Sequence, residues 1–234
     1  DTLVFAELLA QDVAPAGRIS ALPEALALDA ILRSDVVIFA DIHSNPDIAV
    51  GAARILERVA SRYSDGQSPL TILFELLPPD SEPQVSAARV ALRRGDDVPL
   101  KRLLGRHVPY PISGYLEFLK SSLRLGSRVR CMERSESRVL LPEDIPDSDR
   151  TIFHPRAVWV GPTQVRPMHE RIAETNRDFT QELERIVTRD HGSTPRAWAI
   201  IGCAHLFGGE GLVPLLRQAS VRVAVVALQS DQID

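Results

Sequence analysis

The chain has 234 residues, of which 44% are hydrophobic and 25% are charged. These proportions are ordinary for a globular protein and exclude disordered and fibrous chains, and the length suits one domain with one sizeable core. The formal net charge of −4 gives no electrostatic reason to expect nucleic acid or an anionic membrane as a partner. No apolar run approaches the roughly 20 residues that span a bilayer, so we expect no membrane span.

The first predicted strand covers residues 35–40, a short apolar run rich in β-branched residues. A helix follows it, because Asn45 and Pro46 form a typical helix start and apolar residues then recur at helical spacing. The same alternation continues to the middle of the chain. It predicts a strand at 70–74, helices at 82–94 and 114–125, a loop from Gly95 to Pro111 and a helix stop at Gly126.

The second half of the chain repeats this pattern around a loop at 140–150 that is rich in proline and acidic residues. Strands are predicted at 129–132, 157–160, 197–201 and 221–228, and helices at 167–188 and 211–219. Apolar strands that alternate with helices predict an α/β fold, with a mostly parallel sheet of about six strands covered by helices on both faces. We expect residues 1–234 to form this single domain.

The two cysteines, Cys131 and Cys203, lie in apolar runs. We interpret them as two buried thiols, since their number and spacing fit neither a disulfide framework nor a zinc site. The chain opens at Asp1 and not at methionine, which indicates a processed or trimmed form. A signal peptide or lipid anchor would then already have been removed, so the sequence leaves the compartment open.

Side chains able to do chemistry follow four of the predicted strands. They are Asp41 and His43, then Glu75, Glu133 and His205. Because ligands of parallel α/β sheets bind beyond the carboxyl ends of the strands, we expect a working site at this edge. Glu133 stands in a charged stretch, which favours a solvated loop residue, whereas a glycine-rich turn follows His205 and suits close approach of a ligand.

The spacing within this set suggests roles. Strand periodicity places Asp41 and His43 on one side of the chain, where a carboxylate fixes an imidazole tautomer and raises its basicity. Glu75 follows four apolar residues, so we expect burial to raise its pKa toward a value useful for proton transfer. The structural alternatives are that Asp41 caps the next helix and that Glu75 is the buried ion-pair partner of Arg177.

The segment from Ile38 to Asp47 resembles the opening motif of ChaN-like proteins, whose usual form is Gly-Glu-(Ile/Val)-His followed by Asp/Ser-Asn-Pro. The later motifs of that family have counterparts in the right order: Leu73-Phe74-Glu75, Tyr110-Pro111-Ile112, Asn176-Arg177-Asp178 and Ile201-Gly202-Cys203-Ala204-His205. The resemblance spans roughly residues 16–228. Ala40 and Asp41 stand where the family has glycine and glutamate, so contacts through the shorter Asp41 need a different reach.

This resemblance also extends to a wider superfamily with Tiki-type metalloproteases, TraB-type proteins and erythromycin esterase-like hydrolases. It implies a hydrolase of peptide or ester bonds, acting on a small-molecule or peptide substrate, and a serine hydrolase is disfavoured because no Gly-x-Ser-x-Gly elbow is present. His43 would be the general base, Glu75 the proton carrier and His205 a substrate-orienting group. Asp41 would position His43, and Arg177 would hold an anionic group or buttress Glu75.

The hydrolase hypothesis leaves open whether the reaction uses a transition metal. His43, His205 and Glu75 would bind zinc, manganese or iron and leave a position for water.

The alternative implied by the resemblance is a bacterial haem- or metal-binding protein without catalysis, since ChaN-like proteins are linked to haem binding in bacterial iron uptake. Tyr110 and Tyr115 are the candidate axial ligands of a haem. A piece of a larger protein is a third possibility, and the oligomeric state is open. The two main hypotheses share one spatial expectation, which is that His43, Glu75 and His205 converge on one cavity.

Overall fold

The structure is a computed structural model. It describes residues 5–6, 24–43, 45–60, 70–133, 137–139, 157–160, 165–189, 196–206 and 208–227. The strands are β1 (Phe5–Ala6), β2 (Val36–Asp41), β3 (Thr71–Phe74), β4 (Arg128–Cys131), β5 (Ser137–Val139), β6 (Ala157–Val160), β7 (Val165–Pro167), β8 (Ala197–Gly202) and β9 (Val223–Ala227). The helices are α1 (Glu24–Arg33), α2 (Pro46–Ala60), α3 (Glu82–Leu92), α4 (Val98–His107), α5 (Ser113–Arg124), α6 (Met168–Arg189) and α7 (Leu212–Gln218), with 3-10 turns at Pro79–Ser81 and Cys203–His205.

The main sheet has the strand order β1-β9-β2-β8-β3-β4. Its five strands from β9 to β4 are parallel, and the two-residue β1 pairs antiparallel with β9 at one edge. The predicted α/β fold with a mostly parallel sheet is therefore confirmed. In the register of β2 and β8, Asp41 lies opposite Gly202, so both strands end at the same edge.

The sheet is covered by helices on both faces, as predicted. Side chains of β2 alternate between the faces: Val37 and Phe39 pack with α2 to α5, whereas Val36 and Ile38 pack with α6 and α7. Trp198 of β8 is fully buried, as expected of a core residue. Within the described ranges, no helix has the length and apolar character needed to cross a membrane.

The strand predicted at 157–160 does not join the main sheet. It is β6, the middle strand of a separate antiparallel sheet with the order β5-β6-β7. A parallel connection needs a crossover of a dozen or more residues, whereas β6 and β7 are joined by residues 161–164. The short connection therefore dictates an antiparallel pair.

Candidate functional site

The last residue of β2, Asp41, anchors one side of the site. Its side chain is 1% exposed, and its Oδ2 lies 2.7 Å from Nδ1 of His43 and accepts a hydrogen bond of 2.6 Å from the hydroxyl of Tyr115. Asp41 therefore reaches His43 directly although it is one methylene shorter than glutamate. Because a carboxylate oxygen only accepts hydrogen bonds, Nδ1 of His43 carries the hydrogen. Asp41 accordingly orients His43 and does not cap α2.

Tyr115 reaches Asp41 because α2 and α5 begin in direct contact. A Cβ on Gly114 would lie 2.1 Å from the carbonyl oxygen of Pro46, so glycine permits an approach that no other residue allows. The phenol ring is buried and packs edge-on against Phe74, with 6.0 Å between the ring centroids. The α2–α5 contact thus fixes the hydroxyl that supports Asp41 and His43.

The other side of the site is built on Glu75, directly after β3. Its side chain is 8% exposed, and its Oε2 accepts a 2.5 Å hydrogen bond from the backbone N–H of Gly202. Its Oε1 lies 3.1 Å from Nε2 of His205 and 3.9 Å from Nε2 of His43. Both imidazoles therefore face one carboxylate oxygen, and the three side chains expected to converge lie together.

Gly202, the last residue of β8, packs directly against His43 and Glu75. A Cβ at this position would lie 2.9 Å from Nε2 of His43 and 3.4 Å from Oε2 of Glu75. Only a residue without a side chain lets the imidazole lie over the end of β8. The sequence shows this glycine within the closing motif, but it does not show that a side chain at this position would clash with His43.

Asn176 of α6 belongs to the site, although the role expected from its motif fell on Arg177. It is 1% exposed, its Nδ2 donates to the carbonyl oxygen of Glu210 at 2.8 Å, and its Oδ1 lies 2.8 Å from Nδ1 of His205. Arg177, which was expected to serve Glu75 or an anionic group, is 57% exposed and pairs with the Glu210 carboxylate at 2.6 Å. Consecutive helical residues point about 100° apart, so Asn176 and not Arg177 faces the cluster.

The pKa of Glu75 shifts in the opposite direction to the one expected from the sequence. Burial by itself raises the pKa of this carboxyl, but the hydrogen bond and charge of His205, the charge of His43 and the Gly202 donor outweigh it. The net pKa of Glu75 is lowered, so the group is held as a carboxylate. The expected upward shift is therefore wrong, because the sequence shows the apolar run but not the donors around it.

Burial lowers the pKa of His43, but the hydrogen bond to Asp41 and the negative charges around it raise the net value above the ordinary one. Those charges include Glu133, which is half-buried. Glu133 therefore contributes to the field of the cluster, in contrast to the solvated loop residue that the sequence favoured.

The two predicted haem-ligand tyrosines occupy different positions. The ring of Tyr110 stacks on His43 with 4.9 Å between centroids and is half-buried. Tyr115 is 1% exposed, and burial together with the hydrogen bond to Asp41 raises its pKa. A tyrosine that binds haem iron must lose its proton and reach the iron. Tyr115 therefore fits a role in supporting Asp41 and does not fit the role of an axial iron ligand.

No group of three histidine, cysteine, aspartate or glutamate side chains within the described residues is arranged to hold a metal ion. Both oxygens of Glu75 already have partners, Gly202 and His205. The metal centre expected at His43, His205 and Glu75 therefore stays a prediction.

The two thiols also differ from each other. Cys131 is buried as predicted, and burial raises its pKa to about 12. Cys203 is exposed, contrary to prediction, because it lies in the turn just beyond β8.

Comparison with known proteins supports the fold. The sequence matches no family model and no curated protein. Among solved structures it is similar to ChaN of Campylobacter jejuni, in a structure described as cofacial haem binding, with a TM-score of 0.54 and 13% identity over 92% of this chain and 89% of that one. It also resembles the type III effector HopBA1, with a TM-score of 0.46 and 15% identity over 76% of this chain and 71% of that one. The first likeness shows a ChaN-like fold, whereas the wider links to Tiki-type, TraB-type and esterase-like proteins stay predictions.

Proposed function

We propose that this chain binds haem at the carboxyl edge of β2, β3 and β8, with Nε2 of His43 as the iron ligand. The observation that carries the proposal is the hydrogen bonding of the two ring nitrogens of His43. Nδ1 of His43 is committed to Asp41, and the imidazole is 23% exposed. Within the described residues Nε2 makes no hydrogen bond, and the nearest charged group, Oε1 of Glu75, lies 3.9 Å away. A metal-binding histidine has this arrangement, with one ring nitrogen donated to a carboxylate and the other directed at the metal.

The surroundings of His43 suit a flat apolar ligand. Tyr110 stacks on the imidazole, and the neighbouring Ile42 is a large hydrophobic residue with 45% of its surface exposed. A haem site needs an axial ligand beside apolar surface, and these side chains provide both. Tyr110 is the second candidate for the axial position. Bound haem would supply an iron centre with one coordination position taken by the protein.

The likeness to ChaN of Campylobacter jejuni supports the same function, because that protein is described as binding haem. At 13% identity the likeness concerns the fold, so the geometry of His43 has to support the ligand assignment by itself.

A haemin titration of the purified protein, followed by the Soret band, tests this proposal. We expect a saturable change in the wild-type protein and a loss of affinity of about tenfold or more in His43→Ala. The matched control is His107→Ala, which removes an exposed histidine at the end of α4 and should leave the titration unchanged. Wild-type affinity in His43→Ala, or no saturable change at all, would overturn the proposal.

Acid–base hydrolysis of an ester or peptide bond is the second candidate. It is favoured by the way His43 and Glu75 face each other at 3.9 Å while Asp41 supports the imidazole. His43 would take a proton from the attacking water, Glu75 would pass that proton to the leaving group, and His205 would orient the substrate. The substrate would be a small molecule or a peptide.

Ester and peptide substrate panels, with the metal content of the same sample measured by elemental analysis, test the second candidate. Removal of a general acid or base costs about 10²–10⁴ in rate, so His43→Ala and His205→Ala should each lose that much activity. Hydrolysis that survives in both variants would rule this candidate out.

A further inference from the structure

The orientation of the Asn176 amide is fixed by its surroundings. The carbonyl oxygen of Glu210 can only accept a hydrogen bond, so the atom of Asn176 that lies 2.8 Å from it must be the amide nitrogen. The amide oxygen of Asn176 therefore faces His205, at 2.8 Å from Nδ1. Because that oxygen only accepts, Nδ1 of His205 carries a hydrogen.

Both ring nitrogens of His205 consequently have assigned partners. Nδ1 donates to Asn176, and Nε2 points at Oε1 of Glu75 at 3.1 Å. Asn176 is 1% exposed, so water does not compete with this hydrogen bond. The imidazole also lies against Phe179 of the same helix, with 5.7 Å between the ring centroids.

We propose that Asn176 is the positioning residue of this site: it fixes the ring of His205 so that Nε2 holds Glu75 in the orientation in which that carboxylate faces His43. The assignment rests on the proposed function only for the premise that this cluster is the working site. A chain of contacts therefore runs from the carbonyl of Glu210 through Asn176 and His205 to Glu75. His43 is held separately, because Asp41 accepts from its Nδ1, while its Nε2 faces the same Glu75 oxygen at 3.9 Å.

The neighbouring Arg177 supplies a matched control. It is adjacent in α6 and also contacts Glu210, but through the two charged side chains, which are 57% and 63% exposed. Arg177→Ala removes that exposed ion pair and leaves the hydrogen bonds of Asn176 in place. Asn176→Asp is the conservative variant, because a carboxylate keeps the acceptor for Nδ1 of His205 and loses the donor to Glu210.

Nitrogen-15 NMR of histidine-labelled protein reads which ring nitrogen of His205 carries a hydrogen, without any ligand. We expect Nδ1 to be protonated in the wild-type protein, in Arg177→Ala and in Asn176→Asp, and to lose this signature in Asn176→Ala. An unchanged His205 pattern in Asn176→Ala, or an equal change in Arg177→Ala, would overturn the assignment. Should Asn176→Ala fail to fold, Asn176→Asp decides the question, since loss of the Nδ1 signature there contradicts the proposed acceptor role.

Haemin titration of the same variants separates this assignment from the proposed function. Asn176 does not touch His43, so Asn176→Ala should alter haemin affinity far less than His43→Ala. If the NMR result is as expected and haemin does not bind, the haem proposal fails and the role of Asn176 stands. If haemin binds through His43 and the His205 pattern does not depend on Asn176, the positioning role fails alone.

Discussion

Gly202 shows how closely single atoms determine this site. Its backbone N–H holds Glu75, and its missing side chain leaves room for His43. Its backbone has φ −54° and ψ 133°, which alanine adopts without strain, so the constraint on this position is the neighbouring side chains.

Gly202→Ala should therefore displace His43 and leave the backbone of β8 intact. We expect a change in the histidine NMR signals, at least a severalfold loss of haemin affinity and a stability cost of about 1–3 kcal/mol from the overpacked contact. Gly105→Ala is the control, because a Cβ on Gly105 in α4 would meet nothing within 4 Å. Unchanged His43 signals in Gly202→Ala would show that the imidazole is not held over this glycine.

The site residues that could be predicted from the sequence are those whose place depends on strand ends. Asp41, His43, Glu75 and His205 follow strands that must end at one edge, and the structure brings them together. The roles of supporting residues on helices, such as Tyr115 and Asn176, could not be predicted, because they depend on helix rotation and on contacts between helices. The sequence motif contains both Asn176 and Arg177 but does not say which one turns inward.

At the scale of elements, the start of β2 is tied to the start of β9 by one buried carboxylate. Asp35 is 7% exposed and accepts hydrogen bonds from Nε, Nη2 and the backbone N–H of Arg222, at 2.9, 2.8 and 3.1 Å. Burial by itself raises the pKa of Asp35, but these donors and the positive charge of Arg222 lower the net value. Because the folded state favours the ionised form, this pair stabilises the parallel pairing of the neighbouring strands β2 and β9.

Asp35→Asn should destabilise the protein by about 1.5–3 kcal/mol at pH 7, the range for hydrogen bonds to charged groups. A carboxyl with a lowered folded-state pKa contributes stability above its unfolded-state pKa of about 3.9, and loses it as the pH falls through the folded-state pKa. Urea unfolding at pH 7 and near pH 3 should thus show a difference between variant and wild type that shrinks in acid. Asp29→Asn, in an exposed pair with Arg33, should cost at most about 1 kcal/mol, and an Asp35→Asn effect independent of pH would contradict this account.

Two elements show where sequence patterns were insufficient. The region from Gly95 to Pro111 reads as a loop because of its glycines and prolines, yet it contains α4. Pro99 lies in the first turn, where proline is tolerated, and Leu100, Leu103 and Leu104 form the buried face. The run at 157–160 is a strand as predicted, but its sheet depends on pairing partners that its own residues do not specify.

At the scale of the whole molecule, two apolar layers share one sheet. Leu119 of α5 belongs to the layer on one face, Leu183 of α6 to the layer on the other, and both are fully buried. Since the same strands contribute side chains to both layers, we expect the layers to lose their structure together.

Leu119→Ala and Leu183→Ala should each cost about 2–5 kcal/mol and shift one shared unfolding transition. Tryptophan fluorescence, which reports on the buried Trp198, and far-UV circular dichroism should give the same urea midpoint for each variant. Two separate transitions, with each substitution moving a different one, would show that the single-domain prediction is wrong.

The bond between Glu75 and the N–H of Gly202 joins positions 127 residues apart in the chain. Closing a loop of that length costs conformational entropy, and the cluster is assembled only in a chain in which β3 and β8 have paired. A ligand that binds there only in the native state stabilises that state by an amount that grows with the logarithm of the ligand concentration relative to its dissociation constant, and the melting temperature rises accordingly. Thermal shift can therefore rank candidate ligands of this cluster by the stabilisation that each one gives.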